Sequence, residues 1–253
     1  VYVSAAEQTE TAAEETVNTE EADAEETVDT EEIGELQPVD YLDRYYNEES
    51  QTVVSEEETC ESYTLITGET TVLHNGWYVV NRDIQTDGAS LEVRGDVRII
   101  LEDGISWQVT GGTFHVTGAN KLTIYGQKED SGKLQMIRNY VSDGKAVIGG
   151  DGADSAEHGE SCGSITFNGG QISVGSKDDG AIIGSGRYGT GGTITVNGGN
   201  VRAYTMDYKL HNSALIGSGT NGSDVTITIN GGNVTAQAAQ EVQGVNTTYI
   251  GRN

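Results

Sequence analysis

Proline is nearly absent from this 253-residue chain, which holds Pro38 alone against 35 glycines. Such a balance fits many tight turns between short strands. Basic residues are scarce: 14 Lys or Arg stand against 40 Asp or Glu, a net charge of −26. A chain this acidic repels phosphate, so nucleic acid is excluded as a partner, and anionic membrane surfaces are disfavoured. No apolar run approaches the roughly 18 residues that a membrane-spanning helix needs, so no membrane insertion is expected. Cysteine is limited to Cys60 and Cys162, which leaves at most one disulfide. In an exported chain that pair is a candidate bridge from the start of the folded body to a loop, the alternative being two unrelated thiols. The four histidines, His74, His115, His158 and His211, share no metal-ligand spacing.

What the chain has instead is repetition. Thr193 to Ala203 reads Thr-Ile-Thr-Val-Asn-Gly-Gly-Asn-Val-Arg-Ala, and Thr226 to Ala236 repeats it as Thr-Ile-Thr-Ile-Asn-Gly-Gly-Asn-Val-Thr-Ala. A looser copy runs from Ser164 to Val174. A second phrase, Ile-Gly, precedes each copy and places Ile148, Ile183, Ile216 and Ile250 at steps of 35, 33 and 34 residues. A fixed period in this range marks a repeat array. Within each copy, polar and apolar residues alternate with period two, the pattern of a half-buried strand, and Asn-Gly-Gly then turns the chain. Stacking copy on copy sets Ile194 over Ile227, Asn197 over Asn230 and Val201 over Val234. It also predicts a continuous apolar interior and an asparagine ladder. The predicted fold is all-β: a parallel β-helix, or solenoid, with three strands per repeat and a long loop after the third. A propeller is the alternative, although its blades need longer repeats.

Upstream the beat shortens to about eight residues, at Leu91 to Val93, Ile99 to Leu101, Ile105 to Val109, Phe114 to Val116 and Leu122 to Ile124. Three such strands make a coil of about 24 residues, and the alternation turns Trp107 inward with Ile105 and Val109. Trp77-Tyr-Val-Val is strand-like and expected to cap the first coil.

The N-terminal part differs in kind. Val1 to Ala6 reads as the remnant of a signal peptide. Residues 7–61 read as an acidic disordered stalk or linker, because dense like charge and few apolar residues cannot offset ordering entropy. In its last part Tyr41, Leu42, Tyr45 and Tyr46 are expected either to form a short amphipathic helix or to remain linker. Residues 62–253 form the predicted β-helix domain. It breaks off at Ile250-Gly-Arg-Asn as another repeat phrase begins, so more repeats or an anchor are expected downstream.

Three phrases carry a resemblance: Ala181-Ile-Ile-Gly-Ser-Gly, Gly192-Thr-Ile-Thr-Val-Asn-Gly-Gly-Asn-Val, and Asn120-Lys-Leu-Thr-Ile-Tyr-Gly-Gln. With Gly76-Trp-Tyr-Val-Val, they are similar to secreted, repeat-containing surface proteins of Gram-positive bacteria that carry right-handed parallel β-helices. The resemblance spans roughly Tyr63 to the end. It implies a secreted or cell-wall-associated location. It brings no catalytic residues, because the group has no established shared activity.

Several residue sets are candidates for chemistry. Gly149-Gly-Asp-Gly-Ala-Asp154 matches the first six places of a calcium-binding nonapeptide, making Asp151 and Asp154 candidate metal ligands. The hydrophobic place falls on Ala156 and no tandem copy follows, so the reading adopted is no cofactor, with calcium as the alternative. Asp178 and Asp179 are adjacent carboxylates of the kind a β-helical polysaccharide lyase or hydrolase uses, and a solvated turn is the plainer reading. Tyr188, Tyr204 and Tyr208 fall in or beside repeat loops, where exposed rings stack on sugars, and they are the candidate ligand-binding residues. The expected function is non-catalytic adhesion or carbohydrate binding by a monomer, with a polysaccharide or a host or cell-wall glycan as partner. The alternatives are a lyase or hydrolase on the same scaffold, and a structural spacer.

Overall fold

The computed structural model describes residues 37–139, 143–153, 159–177, 180–206, 213–238 and 249–251. The chain divides into two units, Val1–Leu36 and Gln37–Asn253, and every described residue belongs to the second. Among those residues there are strands and no helices. None of the described structure is a helix long and apolar enough to cross a membrane.

The unit opens with an antiparallel hairpin, β1 (Val39–Asn47) and β2 (Thr52–Cys60), in register from Val39 opposite Cys60 to Asn47 opposite Thr52. Two short strands follow, β3 (Thr64–Leu65) and β4 (Val72–Leu73). Six passes of three strands come next. They are β5 (Gly76–Val80), β6 (Ile84–Asp87) and β7 (Leu91–Val93); β8 (Asp96–Leu101), β9 (Ser106–Thr110) and β10 (Phe114–His115); and β11 (Lys121–Gly126), β12 (Lys133–Arg138) and β13 (Ile148–Gly149). The last three are β14 (Ser164–Phe167), β15 (Gln171–Ser176) and β16 (Ile183–Gly184); β17 (Thr193–Val196), β18 (Asn200–Thr205) and β19 (Ile216–Gly217); and β20 (Thr226–Ile229), β21 (Asn233–Gln237) and β22 (Ile250–Gly251).

Each pass gives one strand to each of three parallel sheets. Sheet I runs β3-β5-β8-β11-β14-β17-β20, sheet II β6-β9-β12-β15-β18-β21, and sheet III β4-β7-β10-β13-β16-β19-β22. These stacked parallel sheets are compatible with a β-helix. The expected registers are present: Ile194 pairs with Ile227, Val201 with Val234, and Ile148, Ile183, Ile216 and Ile250 form one column. The shorter early coil is there too, with Leu122 beside Val97 and Trp107 beside Ile84.

Alternation along the strands sends one set of side chains into the space between the sheets. Leu91, Val97, Ile99, Phe114, Leu122, Ile165 and Phe167 are fully buried there. Trp107 is buried as expected, its indole N–H donating to Thr86 Oγ1 at 3.3 Å and its ring 5.2 Å from that of Phe114. Burying one such aliphatic side chain contributes about 1.5–3 kcal/mol, so this interior is the main source of cohesion between coils.

A polar ladder runs beside the apolar one. Asn230 Nδ2 donates to Asn197 Oδ1 at 2.8 Å, and Asn197 Nδ2 donates to Asn168 Oδ1 at 2.9 Å. Asn168 and Asn197 are buried, so their amides stay satisfied only while the coils remain in register.

The hairpin corrects one expectation. Tyr41, Leu42, Tyr45 and Tyr46 form neither helix nor linker; they lie in β1, inside the segment read as linker as far as Glu61. The physical reason is on the outer face of sheet I. Val79, Ile100 and Tyr125 point out of the wall, and Val39, Cys60, Tyr41 and Trp77 cover them in a second apolar cluster. The Tyr41 ring lies 4.8 Å from Trp77 and 4.9 Å from Tyr125. Trp77 therefore packs under the hairpin. Farther along, Arg44 forks onto Asp130 at 2.7 and 3.1 Å and donates to Asn168 O.

The two cysteines are both free, which is the alternative of two unrelated thiols and not the candidate bridge. Cys60 belongs to the outer cluster and Cys162 to the interior one, on opposite sides of the wall formed by sheet I. Burial raises both thiol pKa values, that of Cys162 to about 12.

At four positions along sheet III the coils touch backbone to backbone. A Cβ on Gly149, Gly184 or Gly217 would fall within 2.0 Å of the carbonyl oxygen of the next glycine in the column, and φ there is 136–140°. The column ends at Gly251.

Gly184→Ala is expected to destabilise the fold by roughly 3 kcal/mol or more, since backbone must move as well as adopt a strained φ; urea unfolding of the two proteins measures this, and an unchanged midpoint would contradict the packing. Unreduced protein unfolded in guanidinium should titrate two thiols per chain with a disulfide-exchange reagent, and native protein at neutral pH should react far more slowly.

Candidate ligand-binding groove

Sheet II turns one face inward, and among the described residues none covers the other. Register sets the outward side chains in rows, each strand about 4.8 Å from the next. One row is Ser106, Lys133, Gln171, Asn200 and Asn233. A second is Gln108, Gln135, Ser173, Arg202 and Thr235. Between these rows lies an open hollow of about 360 Å³. Its described lining is amide, hydroxyl and cation over the backbone of Leu134, Ile172 and Val201, whose side chains turn inward and are buried, and it includes no carboxylate.

The polar groups are held in place by their neighbours. Asn200 Nδ2 donates to Gln171 Oε1 at 3.1 Å, and Gln171 Nε2 donates to the Asp130 carbonyl at 2.7 Å. Arg202 donates to Gln237 Oε1 at 2.9 Å and lies over the Tyr204 ring, 4.7 Å from its centroid. That ring extends across Gly175 of the neighbouring strand, where an added Cβ would come 2.5 Å from Tyr204 Cζ. A glycine at this place in the row is what lets the ring lie flat.

The hairpin bounds a hollow beside the groove. A second open hollow, of about 490 Å³, shares Asn200 and Asn233 with the first and is bounded by Arg44, Val53, Ser55 and Asp130. Asp130 belongs to the loop between β11 and β12, and Asp103 shapes that loop. The Asp103 carboxylate accepts the backbone N–H groups of Glu129 and Ser131, each at 2.9 Å. Burial opposes its ionisation, but these bonds and the Ser131 hydroxyl outweigh it and hold its pKa below the ordinary value.

Of the three candidate tyrosines, Tyr204 lies on sheet II beside the groove. Tyr188 sits at the corner between sheets III and I, with φ 62° and its N–H donating to Thr220 O at 2.9 Å, so the structure does not bring the two together. Tyr208, Asp154, Asp178 and Asp179 lie outside the described residues.

Asp151 falls in a cluster that the sequence did not reveal. His115 Nε2 is 3.3 Å from Glu160 Oε2 and 3.8 Å from Asp151 Oδ2, and the three ligand atoms lie within 4.8 Å of one another. A nitrogen with two carboxylates suits a zinc-type ion better than calcium, which takes oxygen ligands. Lys145 Nζ already donates to Asp151 Oδ2 at 3.0 Å, so Asp151 is partnered within the chain. His115 comes from one coil and Asp151 and Glu160 from the loop after the next, which no linear spacing could show.

Comparison with protein-family models, curated proteins and solved structures found no match to this chain.

Gly175→Ala should displace the Tyr204 ring toward solvent while lowering stability by only about 1 kcal/mol, because the obstacle is a side-chain end rather than backbone. Tyrosine solvent-perturbation spectra alongside urea unfolding would check both parts.

Proposed function

We propose that the chain is a right-handed parallel β-helix that binds polysaccharide along the outer face of sheet II without cleaving it. We place it at the cell surface or outside the cell as an adhesion or carbohydrate-binding protein. The single observation that carries this reading is the groove itself. It presents rows of oriented amides and hydroxyls, repeated at strand spacing, beside the aromatic ring of Tyr204. Sugar hydroxyls pair with such donors and acceptors, and each net hydrogen bond adds about 0.5–1.5 kcal/mol. A linear glycan laid along the stacking axis meets a similar set of groups on every coil. That suits binding by many modest contacts. Glycoside hydrolysis ordinarily uses two carboxyl groups flanking the bond, and the described lining of this groove offers none.

The test is to incubate the full chain with insoluble plant, mucin and bacterial cell-wall polysaccharides. Bound protein is measured in the pellet and new reducing or unsaturated ends in the supernatant. Binding without new ends is expected, with Asn200→Ala and Tyr204→Ala each weakening it about threefold to tenfold. New ends, or binding indifferent to both substitutions, would overturn the proposal.

A further inference from the structure

We infer that the ligand of this groove is an acidic linear polysaccharide, whose carboxylate or sulfate groups pair with Lys133 and Arg202. The inference rests on the reading of sheet II as a glycan-binding face. Among the described residues these two are the only ionisable side chains lining the hollow, and both are cationic on a chain where acidic residues outnumber basic ones by 40 to 14.

Several cations of this protein are matched by a carboxylate. Arg44 meets Asp130 at 2.7 Å, Arg94 meets Glu92 at 2.7 Å, Arg138 meets Asp143 at 2.6 Å and Lys145 meets Asp151 at 3.0 Å. Lys133 and Arg202 have no such partner among the described residues. Arg202 touches the neutral Gln237 amide and the Tyr204 ring. Those contacts fix the plane of the guanidinium and leave its charge uncompensated, so an anion can take its free N–H groups as a fork.

Their spacing fits a polymer. Lys133 is on β12 and Arg202 on β18, two strands apart, or about 10 Å along the stacking axis. Gln171 and Asn200 lie between and beside them, where they meet the uncharged hydroxyls of the same chain. The opposite end of the sheet reverses in sign. Asp83, which accepts the Ser106 N–H at 2.8 Å, and Asp87 of β6 lie there, so an anionic chain is repelled from the first coil and held on the later ones.

Binding of the full chain to polygalacturonate, fully methyl-esterified polygalacturonate, dextran sulfate and dextran would be measured by affinity electrophoresis at low and high salt. The charged polymers should bind more tightly than their neutral counterparts and lose affinity as salt rises. The tighter of the two identifies the anion. Lys133→Gln and Arg202→Gln should each weaken charged-polymer binding on the order of fivefold. Arg202→Lys should recover only part of the loss. Both side chains are exposed, so thermal melting should be unchanged, and that control separates lost charge from lost fold. Equal binding of charged and neutral polymers, still weakened by Asn200→Ala, would overturn the anionic ligand and keep the glycan groove. Charged-polymer binding indifferent to Lys133→Gln and Arg202→Gln together would also overturn it. Binding of none of the four, nor of any glycan in the wider panel, would remove both readings.

Discussion

The glycine column of sheet III sets how closely successive coils approach. At Gly149, Gly184 and Gly217 the backbone of one coil stands where a Cβ of its neighbour would be. Close approach at that corner brings equivalent residues of sheets I and II into register as well. The apolar interior, the asparagine ladder and the outward rows of sheet II all follow from that alignment. Shifting one strand by a residue would turn its buried set to solvent, so the glycines and the interior alternation reinforce each other.

Sheet I is packed on both sides. Where a strand alternates simply, as in β17 or β20, only one face is apolar. In β5 and β8 consecutive apolar residues occur, Val79-Val80 and Ile99-Ile100-Leu101, because one set faces the interior and the other faces the hairpin. The hairpin then runs along the stack. Asn197 Nδ2 donates to Arg44 O at 2.9 Å, Asn168 Nδ2 donates to Asp43 Oδ1 at 3.1 Å, and Arg44 reaches Asp130 from the same strand. One early segment thus ties together three later coils and bounds the hollow beside the groove. A ladder that is repetitive in sequence acquires a unique, non-repetitive partner.

The groove inherits its regularity from the same stacking. A flat parallel sheet places like groups at equal intervals, which suits a ligand that is itself a repeat. Two positions depart from that regularity: Gly175 admits the Tyr204 ring, and Arg202 replaces the Ser173 and Thr235 found on the adjoining strands.

The sequence by itself determined the repeating part. Ile148, Ile183, Ile216 and Ile250, the Asn197–Asn230 pairing and the burial of Trp107 were legible because each depends on local alternation and a fixed step along the chain. The hairpin was not legible. Tyr41, Leu42, Tyr45 and Tyr46 fit a helical spacing, and the apolar surface that holds them extended lies on Val79, Ile100 and Tyr125, far along the chain. Cys60 and Cys162 gave no sign of facing opposite sides of one wall. Asp151 meets His115 from another coil, and Tyr204 meets Gly175 from another coil. Periodicity fixes which residues stack, since stacking is a relation between equivalent positions. Only the tertiary structure decides which outward rows are covered, which are paired and which remain open, because those outcomes depend on non-equivalent segments meeting in space.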